Sequence, residues 1–252
     1  SLTFVETVAE TGSTNDDLLK RATAGAAEGL WLRAERQSGG KGRQGRAWLS
    51  PPGNLYISTL VLVRPDDPPA PTLALVAAVA LHEVLSAACA PAKAGAVEEG
   101  TANAPAFAGA QTLQIKWPND ILAGNAKLAG ILLERAGDAV VIGMGANLAH
   151  HPGNLDRPVT SIAALTGAAP DPAAIAAQLA ARFAVWLARW RTDRLPPVRQ
   201  AWLDHAHPIG TRLVTTEGEG SFAGLDESGA LRLGLPDGAV KLIHAGDVFL
   251  LS

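Results

Sequence analysis

The spacing of apolar and polar residues divides the chain into a long mixed part and a short C-terminal part rich in strands. Residues 72–90 are mostly apolar, and apolar residues recur at helical spacing over 172–191. Residues 16–22, which are good helix formers, follow a cluster of capping residues. These three segments are predicted to be helices. Runs rich in β-branched and other apolar residues predict strands at 30–34, 54–63, 113–117, 131–135 and 139–146.

A different pattern begins near residue 207, where short alternating segments are separated by glycine-rich turns. A series of such short strands in so little sequence is typical of a small barrel. We therefore expect an α+β protein with a mixed domain over residues 1–205 and a barrel domain over 206–252. Residues 91–110 show little pattern and are expected to form a surface loop. The barrel strands are predicted at 211–215, 220–225, 231–235, 240–244 and 247–251.

Composition and charge narrow the class of protein. With 252 residues, 48% of them hydrophobic and 18% charged, the chain can bury a substantial core, which excludes disorder as its main state. The formal net charge of −3 gives no basic surface for a nucleic acid or a membrane, so neither is an expected partner. Residues 73–85, the most apolar stretch, are interrupted by His82 and Glu83 and indicate a buried helix. The single cysteine, Cys89, and the lack of a signal-peptide pattern favour a cytoplasmic location.

The segment Gly39–Arg46 contains four glycines and three cations in eight residues. Glycine lets the backbone approach a ligand closely and the cations attract a polyanion, so phosphate is the natural ligand. Residues 40–45 also match the dinucleotide-binding pattern G-x-G-x-x-G, but a strand follows them where that motif needs a helix. A Walker loop is excluded because Gly42 follows Lys41 where serine or threonine is required. Taken alone, the segment could equally be a solvated turn.

A second polar cluster is Lys116-Trp-Pro-Asn-Asp120, followed by Lys127-Leu-Ala-Gly130. Proline, asparagine and aspartate favour turns in any protein, so an exposed turn would explain the first motif equally well. The occurrence of both clusters in one chain favours a functional site. Lys127 is expected at the entry to the predicted strand 131–135.

The ordered set of motifs resembles the biotin–protein ligases over nearly the whole chain. The two clusters are preceded by Gly12-Ser-Thr-Asn15 and Gln37 and followed by Gly143-Met-Gly-Ala-Asn147, in the order and at spacings like those of that family. Lipoate–protein ligases share the fold but are not expected to carry the glycine-rich loop or the Lys-Trp-Pro-Asn-Asp motif. The resemblance implies a mixed-sheet catalytic domain of the class II aminoacyl-tRNA synthetase-like type, followed by an SH3-like β-barrel.

The resemblance also implies a reaction and its residues. Biotin would be activated by ATP with Mg²⁺ to biotinyl-5'-AMP, with release of pyrophosphate, and then transferred to a lysine of a biotin carboxyl carrier protein. The implied catalytic residues are Lys127, Arg43 and Asp120. The implied biotin-binding residues are Ser13, Thr14, Asn15, Gln37, Gly40, Lys41, Gly42, Arg43, Lys127 and Gly130. The implied ATP- and adenylate-binding residues are Arg43, Arg46, Trp48, Asn119, Lys127 and Asn147.

The implied roles follow the charges that the reaction develops. Lys127 would bind the biotin carboxylate and the α-phosphate, where two anions have to meet. Arg43 and Arg46 would stabilise the triphosphate and retain the adenylate, and Trp48 would pack against the adenine. Asp120 would orient or deprotonate the carrier lysine.

Two departures from the family pattern limit what is carried over. Lys41 stands where the family often has arginine, so the bidentate fork is lost. The first motif begins almost at once, so the DNA-binding domain of repressor members is not expected. There are two alternatives to a biotin–protein ligase: a lipoate- or octanoate-type ligase, and a regulator that binds biotin adenylate without transferring biotin. Intact Lys127 and Asp120 favour the enzyme over the regulator. The choice between a monomer and a homodimer stays open. The pair His150-His151 is not expected to bind a metal.

Overall fold

The computed structural model describes residues 4–90, 112–153, 155 and 157–251. The predicted loop at 91–110 lies outside the described residues. In chain order, the elements are β1 (Glu6–Thr11), α1 (Thr14–Thr23), β2 (Trp31–Gln37), β3 (Leu55–Leu62), α2 (Leu73–Cys89), β4 (Leu113–Lys116), β5 (Asp120–Ala123), β6 (Ala126–Ala136), β7 (Ala139–Ala146), α3 (Ile162–Thr166), α4 (Pro172–Thr192), α5 (Leu195–Asp204), β8 (Arg212–Thr215), β9 (Gly218–Leu225), β10 (Leu231–Gly234), β11 (Val240–Ile243) and β12 (Val248–Leu250).

The larger part of the chain is built on a seven-stranded sheet in the order β1-β2-β3-β7-β6-β5-β4. The first two strands run parallel and the other neighbouring pairs run antiparallel, so the expected mixed sheet is confirmed. Strand β7 lies between β3 and β6 and is buried along most of its length. It therefore carries side chains and glycines into the middle of the molecule.

Helix α2 forms the centre of the core. Together with the turn before it, residues Ala70–Cys89 are long and apolar enough to cross a membrane, but 67% of the apolar window is buried inside the protein. It packs on α4, α5 and the sheet. Trp190 of α4 donates from Nε1 to Thr72 Oγ1 at 2.8 Å, so a buried polar group is satisfied where the two helices meet. The prediction of a buried core helix is confirmed, although Cys89 at its end is only half-buried.

The C-terminal part is a five-stranded antiparallel sheet in the order β11-β10-β9-β8-β12. All five strands were predicted from the alternating pattern. Within the described residues β11 and β12 lie at opposite ends of this order, so hydrogen bonding does not close the sheet into a barrel. The apolar core is continuous between the two parts, because Trp202 of α5 and Phe222 of β9 belong to the same cluster of buried residues. Their ring centroids are 6.3 Å apart. The boundary at 205/206 stays a prediction.

Four elements, β1, α3, α5 and β5, were missed because local signals were weak or misleading. Helix α3 has only five residues, too few to show a helical period. The N-terminal strand β1 is mostly polar, and its two apolar residues, Val8 and Ala9, are adjacent, so it shows no apolar–polar alternation. Helix α5 carries prolines in its first turn, where their missing N–H groups cost no helical hydrogen bond. Strand β5 begins at Asp120, within a segment whose residues favour turns, and pairing with β4 and β6 decides its conformation.

Candidate active site

A cleft of about 870 Å³, including its mouth, opens where β3, β6 and β7 meet the glycine-rich loop and the turn before β12. Most of the residues that sequence analysis selected line it, although they come from five separate segments of the chain. The lining includes Ser13, Thr14, Asn15, Gln37, Lys41, Gly42, Arg43, Arg46, Trp48, Asn119, Asp120, Lys127 and Gly130.

Two selected residues lie beside the cleft. The backbone carbonyl of Gly40 accepts a 2.9 Å hydrogen bond from the Trp48 amide, which folds the loop back on itself. A side chain at Gly40 would overlap the Trp48 carbonyl, so glycine is required there. Asn147 is 5% exposed and donates from Nδ2 to the Thr160 carbonyl at 3.0 Å. Its role towards a nucleotide stays a prediction.

A buried cluster of three charges forms the base of the cleft. The ammonium group of Lys127 is 2.5 Å from Asp120 Oδ1, and that of Lys116 is 3.3 Å from Asp120 Oδ2. The three side chains are between 7% and 12% exposed. Sheet register brings them together, because Lys116 lies directly opposite Asp120 on β4 and β5, and Lys127 lies on the neighbouring strand β6.

The surroundings of this cluster shift the pKa values of its members. Burial favours the neutral form of Asp120, but the ammonium groups of Lys127 and Lys116 outweigh it and hold the pKa of Asp120 below its usual value. Burial lowers the pKa of Lys127, and the carboxylate of Asp120 opposes that shift. Asp120 is therefore held as a carboxylate at neutral pH.

Glycines on β6 and β7 make room for an aromatic ring above the cluster. A Cβ at Gly145 would lie 2.8 Å from the Trp48 indole, and one at Gly130 would lie 3.1 Å from the Lys127 Nζ. The Lys127 ammonium lies 5.4 Å from the centroid of the Trp48 ring, within the range of a cation–π contact. A side chain at position 145 would overlap the indole, and one at position 130 would crowd the Lys127 ammonium.

The cationic loop is held by the turn that precedes β12. Arg43 Nη1 donates to the Gly246 carbonyl at 3.1 Å and lies 3.4 Å from Asp247 Oδ1. Arg46 also pairs with Asp247. Lys116 Nζ donates to the Val248 carbonyl at 2.6 Å. Three cations of the cleft thus contact β12 or the turn before it.

The contribution of Asp247 was missed by sequence analysis. It is about 200 residues distant from the arginines, and a single aspartate in a turn carries no local signal of such a contact. Lys41, by contrast, pairs with Asp16 at 2.6 Å and its side chain is 44% exposed. Its role as a ligand stays a prediction.

At the other end of the cleft, the first turn of α1 presents polar side chains. Ser13 caps the helix, accepting from the Asp16 amide at 3.4 Å. The amide oxygen of Gln37 accepts from the Thr14 backbone N–H at 2.9 Å. Thr14 and Asn15 are each 4% exposed and hydrogen-bonded to Ser58, a residue of β3 that sequence analysis did not select.

The described residues contain no group of three or more histidine, cysteine, aspartate or glutamate side chains able to hold a metal ion. The Nδ1 atom of His151 is instead 3.1 Å from Ser161 Oγ, within hydrogen-bond distance.

A mixed sheet with a glycine-rich cationic loop and a buried lysine–aspartate cluster, followed by a small antiparallel sheet, defines a two-part ligase of the biotin and lipoate class. The chain belongs to the biotin/lipoate A/B protein ligase family, whose model matches residues 9–147, and to its biotin protein ligases, whose C-terminal domain model matches residues 214–251. It is an ATP-dependent ligase.

Relatives and solved structures agree with this assignment. The chain is 40% identical to a biotin–[acetyl-CoA-carboxylase] ligase of Paracoccus denitrificans over 96% of this chain and 98% of the relative. It is 36% identical to the enzyme of the same name from Mycobacterium tuberculosis, over 97% of this chain and 88% of that one. The biotin protein ligase of Leishmania major in complex with biotinyl-5-AMP is 26% identical, with a TM-score of 0.63 over 96% of this chain and 98% of that structure. An Aquifex aeolicus ligase with biotin and ATP shares the fold, with a TM-score of 0.80 at 24% identity over 98% of this chain and 99% of that one.

Proposed function

We propose that the chain joins biotin to ATP as biotinyl-5'-AMP, releases pyrophosphate, and transfers the biotinyl group to a lysine of a biotin carboxyl carrier domain in acetyl-CoA carboxylase or a related carboxylase. The observation that carries this proposal is the buried ammonium of Lys127, 2.5 Å from Asp120 at the base of the cleft. The relative from Paracoccus is named for acetyl-CoA carboxylase, and the Leishmania structure holds the adenylate.

In the first step, the biotin carboxylate attacks the α-phosphate of ATP. Two anions repel each other as they approach, and a fixed cation between them offsets that repulsion without having to reorganise. Lys127 suits such a position because it is buried and its ammonium lies 5.4 Å from the centroid of the Trp48 ring. Arg43 and Arg46 would exchange Asp247 for the phosphates and so retain the adenylate.

The biotin end of the cleft combines apolar walls with a few hydrogen-bonding groups. Ile131, Leu132 and Met144 line it beside Thr14 and Gln37. Such a combination suits a small neutral ring on an aliphatic chain. Trp48 would pack against the adenine. Asn119 would help to place the nucleotide, since its Oδ1 atom is 3.5 Å from Arg43 Nη1.

In the second step, the amine of the carrier lysine attacks the mixed anhydride. Asp120 is the carboxylate nearest to Lys127, but its lowered pKa makes it a weak base. We therefore propose that Asp120 orients the amine by accepting a hydrogen bond from it, rather than removing its proton.

Mg²⁺ is proposed to act with ATP. The carboxylates of the cleft that could offer it oxygen atoms, Asp120 and Asp247, are already paired with cations of the chain. The chain therefore fits a magnesium ion whose ligands are phosphate oxygens and water. When bound, the ion neutralises charge on the phosphates. A cytoplasmic location, where ATP and carrier carboxylases are available, completes the proposal.

Incubation with biotin, MgATP and a biotin carboxyl carrier domain tests this function. Mass spectrometry of the carrier should find one biotinyl adduct on its acceptor lysine, and a carrier with that lysine replaced by arginine is the matched control. Release of pyrophosphate without any carrier adduct would indicate activation without transfer. Absence of both products would contradict the proposed function.

A further inference from the structure

A line of hydrogen bonds runs from β6 to the first turn of α1. Glu134 Oε2 accepts from Asn15 Nδ2 at 2.7 Å, and Asn15 Oδ1 accepts from Ser58 Oγ at 2.6 Å. Ser58 Oγ lies 2.7 Å from Thr14 Oγ1. Ser58 is fully buried, and Thr14 and Asn15 are nearly so. Glu134 is not part of the cleft lining, whereas Thr14 and Asn15 are.

The carboxylate at one end determines the direction of every bond in this line. An ionised carboxylate can only accept, so the amide of Asn15 has to turn its NH₂ towards Glu134. The Leu132 carbonyl, 3.4 Å from Asn15 Nδ2, can also only accept and favours the same orientation. The amide oxygen of Asn15 therefore faces Ser58, and the single hydroxyl proton of Ser58 is used in donating to it.

The same reasoning reaches the cleft wall. Because Ser58 has no second proton, the hydroxyl of Thr14 has to donate to Ser58. Thr14 Oγ1 also lies 3.2 Å from Gln37 Oε1, but donating there would leave two oxygen lone pairs facing each other at the shorter Ser58 contact. The hydroxyl proton of Thr14 is thus directed away from the ligand, and the oxygen that it presents to the cleft can only accept.

We propose that Glu134 is a positioning residue that determines specificity: through Asn15 and Ser58 it fixes Thr14 as a hydrogen-bond acceptor for the N–H groups of the ligand. This inference rests on the proposed function, in which the ligand is the cyclic urea of biotin. Each ureido nitrogen carries one proton and can only donate through it. A ring that offers an acceptor at this point would face a second acceptor and be rejected.

The line can be reversed by replacing the acceptor at its start with a donor. In Glu134→Lys, the introduced ammonium can only donate, so the amide of Asn15 is expected to turn and Ser58 to donate to Thr14. The Thr14 proton is then released from Ser58 to the cleft side of its oxygen, where Gln37 Oε1 lies 3.2 Å away. Biotin binding, measured by calorimetry without ATP, should weaken about 10-fold, because this proton now competes with the ligand N–H groups for the cleft side of the Thr14 oxygen. The KM for biotin should rise by the same factor, while kcat at saturating biotin should change less than about threefold.

Ser58→Ala is the decisive second variant, because it interrupts the line before it reaches Thr14. In this background Glu134→Lys should change biotin affinity less than about threefold, a coupling that a purely structural role would not produce. Glu134→Gln, which keeps an acceptor, should bind like the wild type. Glu219→Lys makes the same charge change on β9, where the side chain is 67% exposed, and should have no effect.

The outcomes separate the two proposals. If the wild-type protein binds biotin and Glu134→Lys weakens binding equally with and without Ser58, the positioning role is wrong and the proposed function stands. If the wild-type protein does not bind biotin at all, the proposed function itself fails. If Glu134→Lys does not fold, as judged by circular dichroism, Glu134→Met replaces it. A loss of about three- to tenfold that disappears in the Ser58→Ala background supports the role, and an equal loss in both backgrounds overturns it.

Discussion

Replacing Lys127 with methionine should nearly abolish adenylate formation while keeping the volume of the side chain. The ammonium is buried, with 11% of the side chain exposed, and is 2.5 Å from Asp120. Removing one preorganised group that stabilises developing negative charge typically costs about 3 to 4 kcal/mol, or about 100- to 1000-fold in rate. We expect a loss of this size because little water can enter to replace the charge.

The same change also has a structural cost that the assay has to separate. Asp120 would keep Lys116, 3.3 Å away, as its one remaining cation in the cluster, so the buried carboxylate is not left without a partner. We therefore expect a loss of stability below the ~3 to 5 kcal/mol that follows when a buried pair is fully broken. Thermal unfolding of the variant is therefore measured as well, and the activity assay is run at a temperature at which the variant is folded.

The assay is biotin-dependent exchange of labelled pyrophosphate into ATP, which reports only the first step. Lys20→Met, on the exposed surface of α1, is the matched control and should exchange at the wild-type rate. Lys127→Arg, which keeps the charge but changes its shape, should fall between the two. Exchange within a factor of three of the wild type in a folded Lys127→Met variant would refute the role assigned to Lys127.

Three further predictions follow from the loop, its anchor and a buried histidine. Arg43→Gly should still form adenylate but lose it from the cleft, so that lysines of a bystander protein become biotinylated in mass spectrometry; labelling confined to the carrier would contradict this. Asp247→Ala removes the carboxylate that pairs with Arg43 and Arg46. Amide hydrogen exchange over residues 40–46 should therefore be faster than in the wild type when no ligand is bound, and similar to the wild type once biotin and ATP are bound. Unchanged exchange in the ligand-free protein would show that Asp247 does not anchor the loop. Burial lowers the pKa of His82 from 6.5 to about 4, so its neutral form contributes stability that is complete above pH 6.5 and is lost as the pH falls towards 4, by roughly 3 kcal/mol. His82→Gln should flatten the dependence of urea unfolding on pH in that window, and an unchanged slope would refute the assignment.

Local sequence patterns determined the regular elements with strong periodicity. The helices α2 and α4 and the strand β7 were predicted within one or two residues, because their apolar residues are numerous and evenly spaced. The motifs around Arg43, Asp120 and Lys127 were found in the same way, since each is a short run of unusual composition. For these features, the neighbours along the chain carry the information.

Tertiary structure alone decided how these motifs meet. Lys116, Asp120 and Lys127 form a cluster because three strands pair in a particular register, and a shift of one residue would turn each side chain to the other face. Asp120 begins a strand despite its preference for turns, because pairing with both neighbours satisfies its backbone. Asp247 contacts the glycine-rich loop from a turn about 200 residues away.

The polar line beneath the biotin end of the cleft shows the same limit. Ser58 and Glu134 look like an ordinary strand serine and an ordinary strand glutamate in the sequence, and nothing near them in the chain indicates a partner. Their importance arises because β3 and β6 flank β7 and bring both side chains to Asn15, 43 and 119 residues away along the chain. The sequence determined which chemical groups the protein carries, whereas packing at long sequence separation decided which groups are buried together and which way their protons point.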